Sequence, residues 1–144
     1  MKTATIVARV LVGITGVTLL ILGVLFWTHH ALQLIPVHMG IGLLFVLALW
    51  ALATLAAFAR VQRGLVILGF VWGIVVIALG ATQTRILPGS AHWIVKVLHL
   101  LVGIAAMGLA ARLTAAIRAR RQGARELGGP ERAGHSTAGR ERLA

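Results

Sequence analysis

Two imidazoles sit where the chain otherwise reads as lipid-soluble: His38 in the run IPVHMGIGLL and His99 in VKVLHLLVG. A titratable ring in hydrocarbon is unfavourable unless it has a partner, so such a residue points to a functional site and to a nearby group that satisfies it. Each is followed four residues later by glycine, Gly42 and Gly103, on the same helical face one turn on. Two histidines on facing helices of a bundle can hold haem iron from both sides, and the missing side chains would leave room for a flat macrocycle. The other reading of the same residues is structural: glycine at this spacing lets helices approach closely, and a histidine can hydrogen-bond a neighbouring helix.

His92 lies two turns before His99 on one face, with Lys96 between them, and His30 is the approximate counterpart of His92. His30, His92, Lys96 and Arg85 could supply donors to haem propionates or headgroup phosphates at the outer surface. Lys96 could equally be an ordinary snorkelling lysine. A four-histidine copper or zinc site is a further arrangement, less favoured without sulfur or carboxylate ligands. Gln83, between Thr82 and Thr84, could donate to a bound ring or a quinone headgroup, or simply open a polar loop. His29 and His135 receive no role.

Other chemistry is narrowly bounded. The chain has no cysteine, tyrosine or aspartate, and its three glutamates, Glu126, Glu131 and Glu141, all fall near the end. The apolar region therefore holds no carboxylate, nucleophile–base pair or thiolate ligand, and most enzyme classes lose support.

These residues have to be positioned by apolar helices. Hydrophobic residues make up 59% of the 144 and charged ones 12%, with mean hydropathy +0.95, well above soluble-domain usage. Four apolar segments, about 7–27, 37–59, 65–81 and 93–116, approach the length of a bilayer span. The expectation is an all-α bundle of four transmembrane helices over residues 1–117, with a disordered basic tail over 118–144. The basic start Met1–Arg9 resembles a signal peptide, but bulky, polar Phe26–His30 offers no cleavage site, so the first segment should stay as a span. Lys2, Arg9, Arg60, Arg63 and the arginines from Arg112 onward fall on one side, leaving Arg85 and Lys96 toward the other. Both termini are then cytoplasmic in a multi-pass protein of a bacterial inner membrane, with Trp27 and Trp93 as outer interfacial anchors. The net charge of +11 is explained by this anchoring rather than by nucleic acid.

The halves resemble each other. Aligning His38 with His99 places Gly42 on Gly103 and Arg60 on Arg121, and a neighbouring offset places Gly16 on Gly73 and Gly23 on Gly80. Two repeated helical hairpins of like orientation would be related by a pseudo-two-fold axis along the membrane normal. A difference in depth is expected: a second helix starting at Pro36 puts His38 in its first turn, while a fourth helix capped by Ser90 puts His99 nearly three turns in.

The stretch GATQTRILPGSAHWIVKVLHLLVGIAAMGLA, with its Leu-Pro loop and the histidine near a helix's outer end, resembles the haem A synthase family. Small b-type membrane cytochromes would fit nearly as well. Haem A synthase halves are four-helix bundles with ligating histidines on the second and fourth helices, positions onto which His38 and His99 fall. The family has two such bundles, glutamates ahead of the second-helix histidine and typically an external cysteine pair. Here there is one bundle, Ile35, Pro36 and Val37 precede His38, and cysteine is absent. The resemblance implies a bundle binding haem b and not oxidation of a haem methyl group. The expectation is electron transfer through bis-histidine haem near the external face, with quinone or a larger membrane complex as partner. Two chains could also pair as a homodimer with eight helices. The competing expectation is a cofactor-free accessory or assembly subunit of a larger membrane complex.

Overall fold

A computed structural model describes residues 2–127. It is all-helical, with no strand among the described residues. Helix α1 spans Lys2–Trp27, α2 Ile35–Phe58, α3 Arg63–Thr82 and α4 His92–Leu127, and a 3-10 turn, Leu32–Leu34, leads into α2. All four helices are long and apolar enough to cross a membrane, as a multi-pass membrane protein requires. Their outward faces carry large apolar side chains such as Ile14, Ile21, Leu43, Ile67 and Ile74, a coat that only hydrocarbon would solvate well.

The helix ends follow from local chemistry. Pro36 sits in the first turn of α2, where its missing N–H removes no helical bond. α1 and α2 stop with the same device. His29 and Arg60 adopt left-handed φ of 60° and 54°, and paired bonds run back from His29 and His30 to Phe26 and Leu25, and from Arg60 and Val61 to Ala57 and Ala56. This is the Schellman pattern, in which the last carbonyls of a helix find donors across a tight reversal. No helix has an acidic residue in its first turn, and α1 and α3 begin on Lys2 and Arg63, against the sign their macrodipoles favour. Those cations are placed there by something other than helix electrostatics.

α2 and α4 pack against each other across the middle of the bundle and against both flanking helices, whereas α1 and α3 barely meet. The contiguous core is built from Phe45, Leu49 and Leu52 of α2, Val12 of α1, and Leu113 and Ile117 of α4. It occupies the half of the bundle nearer the α2–α3 turn. Outward of it, toward the α1–α2 and α3–α4 connections, the buried apolar residues are Leu22, Val95 and Val102. α3 buries only Gly69 and Gly73. Two indole N–H groups pin it: Trp50 donates to the Phe70 carbonyl and Trp72 to the Val102 carbonyl, both at 3.1 Å.

The burial pattern repeats along the chain. Shifted by 61 residues, the buried Phe45, Ala48, Leu49, Leu52, Ala53 and Ala56 fall on Ala106, Leu109, Ala110, Leu113, Thr114 and Ile117, all of them buried. Shifted by 57, the close approach of Gly73 to Trp50 becomes that of Gly16 to Met107, which the fold also makes. The two shifts differ by one helical turn, so both preserve the same face.

One sequence expectation needs correction. Arg118 was expected to open a disordered tail, yet α4 runs on to Leu127. The segment RARRQGAREL is rich in good helix formers and extends a helix already nucleated, so little apolar burial is needed to keep it helical. Arg121 also donates to the Thr5 hydroxyl at 3.2 Å, tying the extension to α1. The rest of the expected tail, with His135, lies outside the described residues.

Packing at Gly73 gives a direct test. A Cβ there would run into the Trp50 indole, whereas one on Gly13 would meet nothing within 4 Å. Gly73→Ala should lower stability in thermal unfolding of the detergent-solubilised protein, by about 1–3 kcal/mol. Gly13→Ala should leave it unchanged or slightly raised.

Candidate functional site: a diagonal histidine pair

The site is built by the two helices that cross the bundle centre. His38 lies three residues inside α2 and His99 seven residues inside α4. The four-residue difference amounts to about 6 Å of helix rise. Because the rings nevertheless meet, α4 reaches farther out than α2 by roughly one turn. The start of α4 at His92 rather than just after Ser90 reduces the expected difference in depth, and unequal protrusion absorbs the rest.

The ring centroids of His38 and His99 are 6.4 Å apart with planes inclined by 50°. Both Nδ1 atoms are buried and have no hydrogen-bond partner. The edge of Phe26, from α1, stands against His38 at 5.3 Å between centroids. Gly80 of α3 faces the other ring, where an added Cβ would lie 3.5 Å from His99 Cε1. All four helices thus contribute to the pair's surroundings.

The glycines one turn beyond the histidines take no part in close helix packing. A Cβ on Gly103 would meet nothing within 4 Å, and one on Gly42 only Leu19, at 4.0 Å. The contiguous core resumes at Phe45 and Ala106, each seven residues past its histidine, or about 10 Å of helix. About two turns of α2 and α4 therefore separate the rings from the core.

The remaining polar residues of this end stand apart from the pair. His29 is the left-handed residue closing α1, a conformation that histidine adopts more readily than most side chains. His30 Nδ1 lies 3.1 Å from the Thr28 hydroxyl, and His92 Nδ1 is 3.3 Å from the Ile86 carbonyl, to which its ring N–H can donate. Among the described residues no three His, Cys, Asp or Glu side chains come together as a metal site, so the four-histidine copper or zinc arrangement is not formed. Lys96 is half-buried one turn outward of His99, and Arg85 is exposed in the α3–α4 connection. Gln83 is half-buried at the end of α3, where its backbone N–H bonds the Leu79 carbonyl.

The geometry suits coordination of one metal between two imidazoles. Two metal–nitrogen bonds of about 2 Å each, with the ring radii added, span roughly 6 Å between ring centres. An imidazole from each half of the chain is a ligand type that haem iron accepts, and the buried Nδ1 of each ring has no partner among the described residues. The sequence singled out His38, His99, Gly42 and Gly103; it missed Phe26 and Gly80 as neighbours of the rings. Gly80 was visible only as the repeat counterpart of Gly23, and Phe26 only as bulk before Trp27.

No known protein family, characterised protein or solved structure matches the chain. The resemblance to haem A synthases therefore rests on the residues quoted for it.

Unpartnered nitrogens make a prediction for the protein without cofactor. Replacing a ring that carries a buried, unsatisfied nitrogen by an apolar side chain should raise the thermal midpoint, so His38→Leu and His99→Leu should each stabilise by about 1–3 kcal/mol. Lowered midpoints in both would mean that the rings already have partners. Gly80→Leu should push the His99 ring aside, read as a shifted imidazole resonance in histidine-labelled protein.

Proposed function

We propose that the chain is a multi-pass membrane protein that binds one haem b between His38 and His99 and passes single electrons. In this reading both termini face the cytoplasm of a bacterium, the histidines lie toward the outer face of its inner membrane, and the two halves are copies of one hairpin. One observation carries the proposal: two half-buried imidazoles, one from each of the diagonally packed helices, lie 6.4 Å apart between ring centres with buried, partnerless Nδ1 atoms.

Bound haem would supply a reversible one-electron couple at its iron. The protein's own residues do the rest. His38 and His99 would each offer a ring nitrogen to the haem iron. Gly42 and Gly103 place no side chain of their own one turn beneath the rings. Phe26 holds the orientation of His38, and Gly80 admits His99 to the bundle centre. Lys96 and Arg85 add positive charge at the outer rim, favouring the reduced, less positive state and raising the potential. With His30 and His92 they are also the donors available to propionates. Gln83, at the same end, is the group best placed to meet a quinone headgroup.

The second reading, a cofactor-free accessory subunit, draws on the outer face of α3, where Ile67, Phe70, Val71, Ile74 and Ile77 are exposed and leave an apolar helix face open to a larger membrane complex or to a second copy of the chain. Absorption spectroscopy of protein purified from haem-replete cells separates the two. The haem reading expects a Soret band with the sharp visible bands of six-coordinate iron, and a fall in bound haem of at least about tenfold in His38→Ala and in His99→Ala. No band, or a band unchanged in both variants, would sink it in favour of the accessory subunit.

A further inference from the structure

We propose that the groove around the α2–α3 turn, at the end of the bundle opposite the histidines, is a binding site for one anionic phospholipid. The inference rests on the bilayer placement proposed above and is independent of haem. Two open hollows flank Val61 and Gln62. One, of about 610 Å³, lies between the turn and the extension of α4 and is lined by Leu65, Ala116, Ala119 and Arg120. The other, of about 640 Å³, is lined by Arg60, Arg63, Val66 and Ile67.

Both hollows pair apolar walls with guanidinium groups. Among the described residues none of the three arginine side chains has a hydrogen bond or ion pair, and Glu126 is the only carboxylate. Among the described residues these cations have no counter-ion. Arg60 is held in the left-handed conformation at the Schellman position, where glycine would be least strained. Arg63 opens α3 against its macrodipole.

The arrangement selects an amphiphile. Guanidinium groups pair readily with phosphate oxygens through charge-assisted hydrogen bonds. A free phosphate would leave the walls of Leu65, Val66 and Ile67 uncovered, whereas an acyl chain running along the exposed face of α3 covers them. A zwitterionic lipid brings its own cation to a site that already has three. An anionic phospholipid satisfies head and walls together, and its headgroup would lie where basic residues near a cytoplasmic leaflet attract acidic lipid.

The test uses full-length protein reconstituted in nanodiscs of equal parts phosphatidylglycerol and phosphatidylcholine, then released into mild detergent for native mass spectrometry. The unmodified protein should retain phosphatidylglycerol in preference to phosphatidylcholine. Arg60→Gly keeps the turn and removes its guanidinium; it and Arg120→Gln should each reduce that retention about fivefold. Arg118→Gln, on the same helix but outside the lining, should not. Equal retention of the two lipids, an equal loss in Arg118→Gln, or displacement of the lipid by inorganic phosphate at matching concentration would each overturn the site. Protein that fails to enter the discs would overturn the bilayer placement itself, a failure read separately from loss of lipid selectivity.

Discussion

Two partnerless nitrogens in the bundle interior are the constraint on which everything else turns. Leaving a buried polar atom without a hydrogen bond is unfavourable by about 1–3 kcal/mol, and the rest of the molecule avoids that penalty carefully. The buried Thr15 and Thr114 hydroxyls donate to carbonyls one turn back in their own helices, at 2.6 Å and 2.8 Å. The Trp50 and Trp72 indoles reach across to neighbouring helices. Among the described residues only His38 and His99 keep buried side-chain polar atoms without a partner. The proposed haem would give these two rings a role that no other described residue fills.

The distribution of packing supports them. The dense core lies toward the α2–α3 turn, where Phe45, Leu49, Leu52, Leu113 and Ile117 are almost fully enclosed. That half holds the helices in register, so the other half can stay looser around the rings without the bundle coming apart. Placing the pair on α2 and α4, the two helices that meet across the diagonal, ties their separation to the packing of that helix pair in the core.

Much of this was legible in the residues. Apolar runs and chain length marked four helices, because only long apolar stretches follow from so few charges. The recurrence of His-x-x-x-Gly marked the diagonal pair, and the same shift that aligns those histidines also aligns the buried faces of α2 and α4. What stayed hidden depends on three-dimensional approach. Nothing in the local sequence says that Gly80 faces His99, since that contact joins α3 to α4 across a connection whose path is set by packing. The reach of α4 to Leu127 was missed because composition was judged by what the segment could bury, while a helix already started can continue on backbone hydrogen bonds alone. His29, to which the sequence assigned no role, closes a helix, a role decided by φ rather than by chemistry.

The unequal ends of α2 and α4 have a consequence for valency. By the repeat, Arg60 and Arg121 are counterparts, yet at Arg60 the chain reverses and at Arg121 it stays helical. A molecule that is nearly two-fold through its middle is therefore lopsided at one rim. In the reading of the two halves as copies of one hairpin, any surface built at this rim has no duplicate across the bundle, so a site there would occur once per chain.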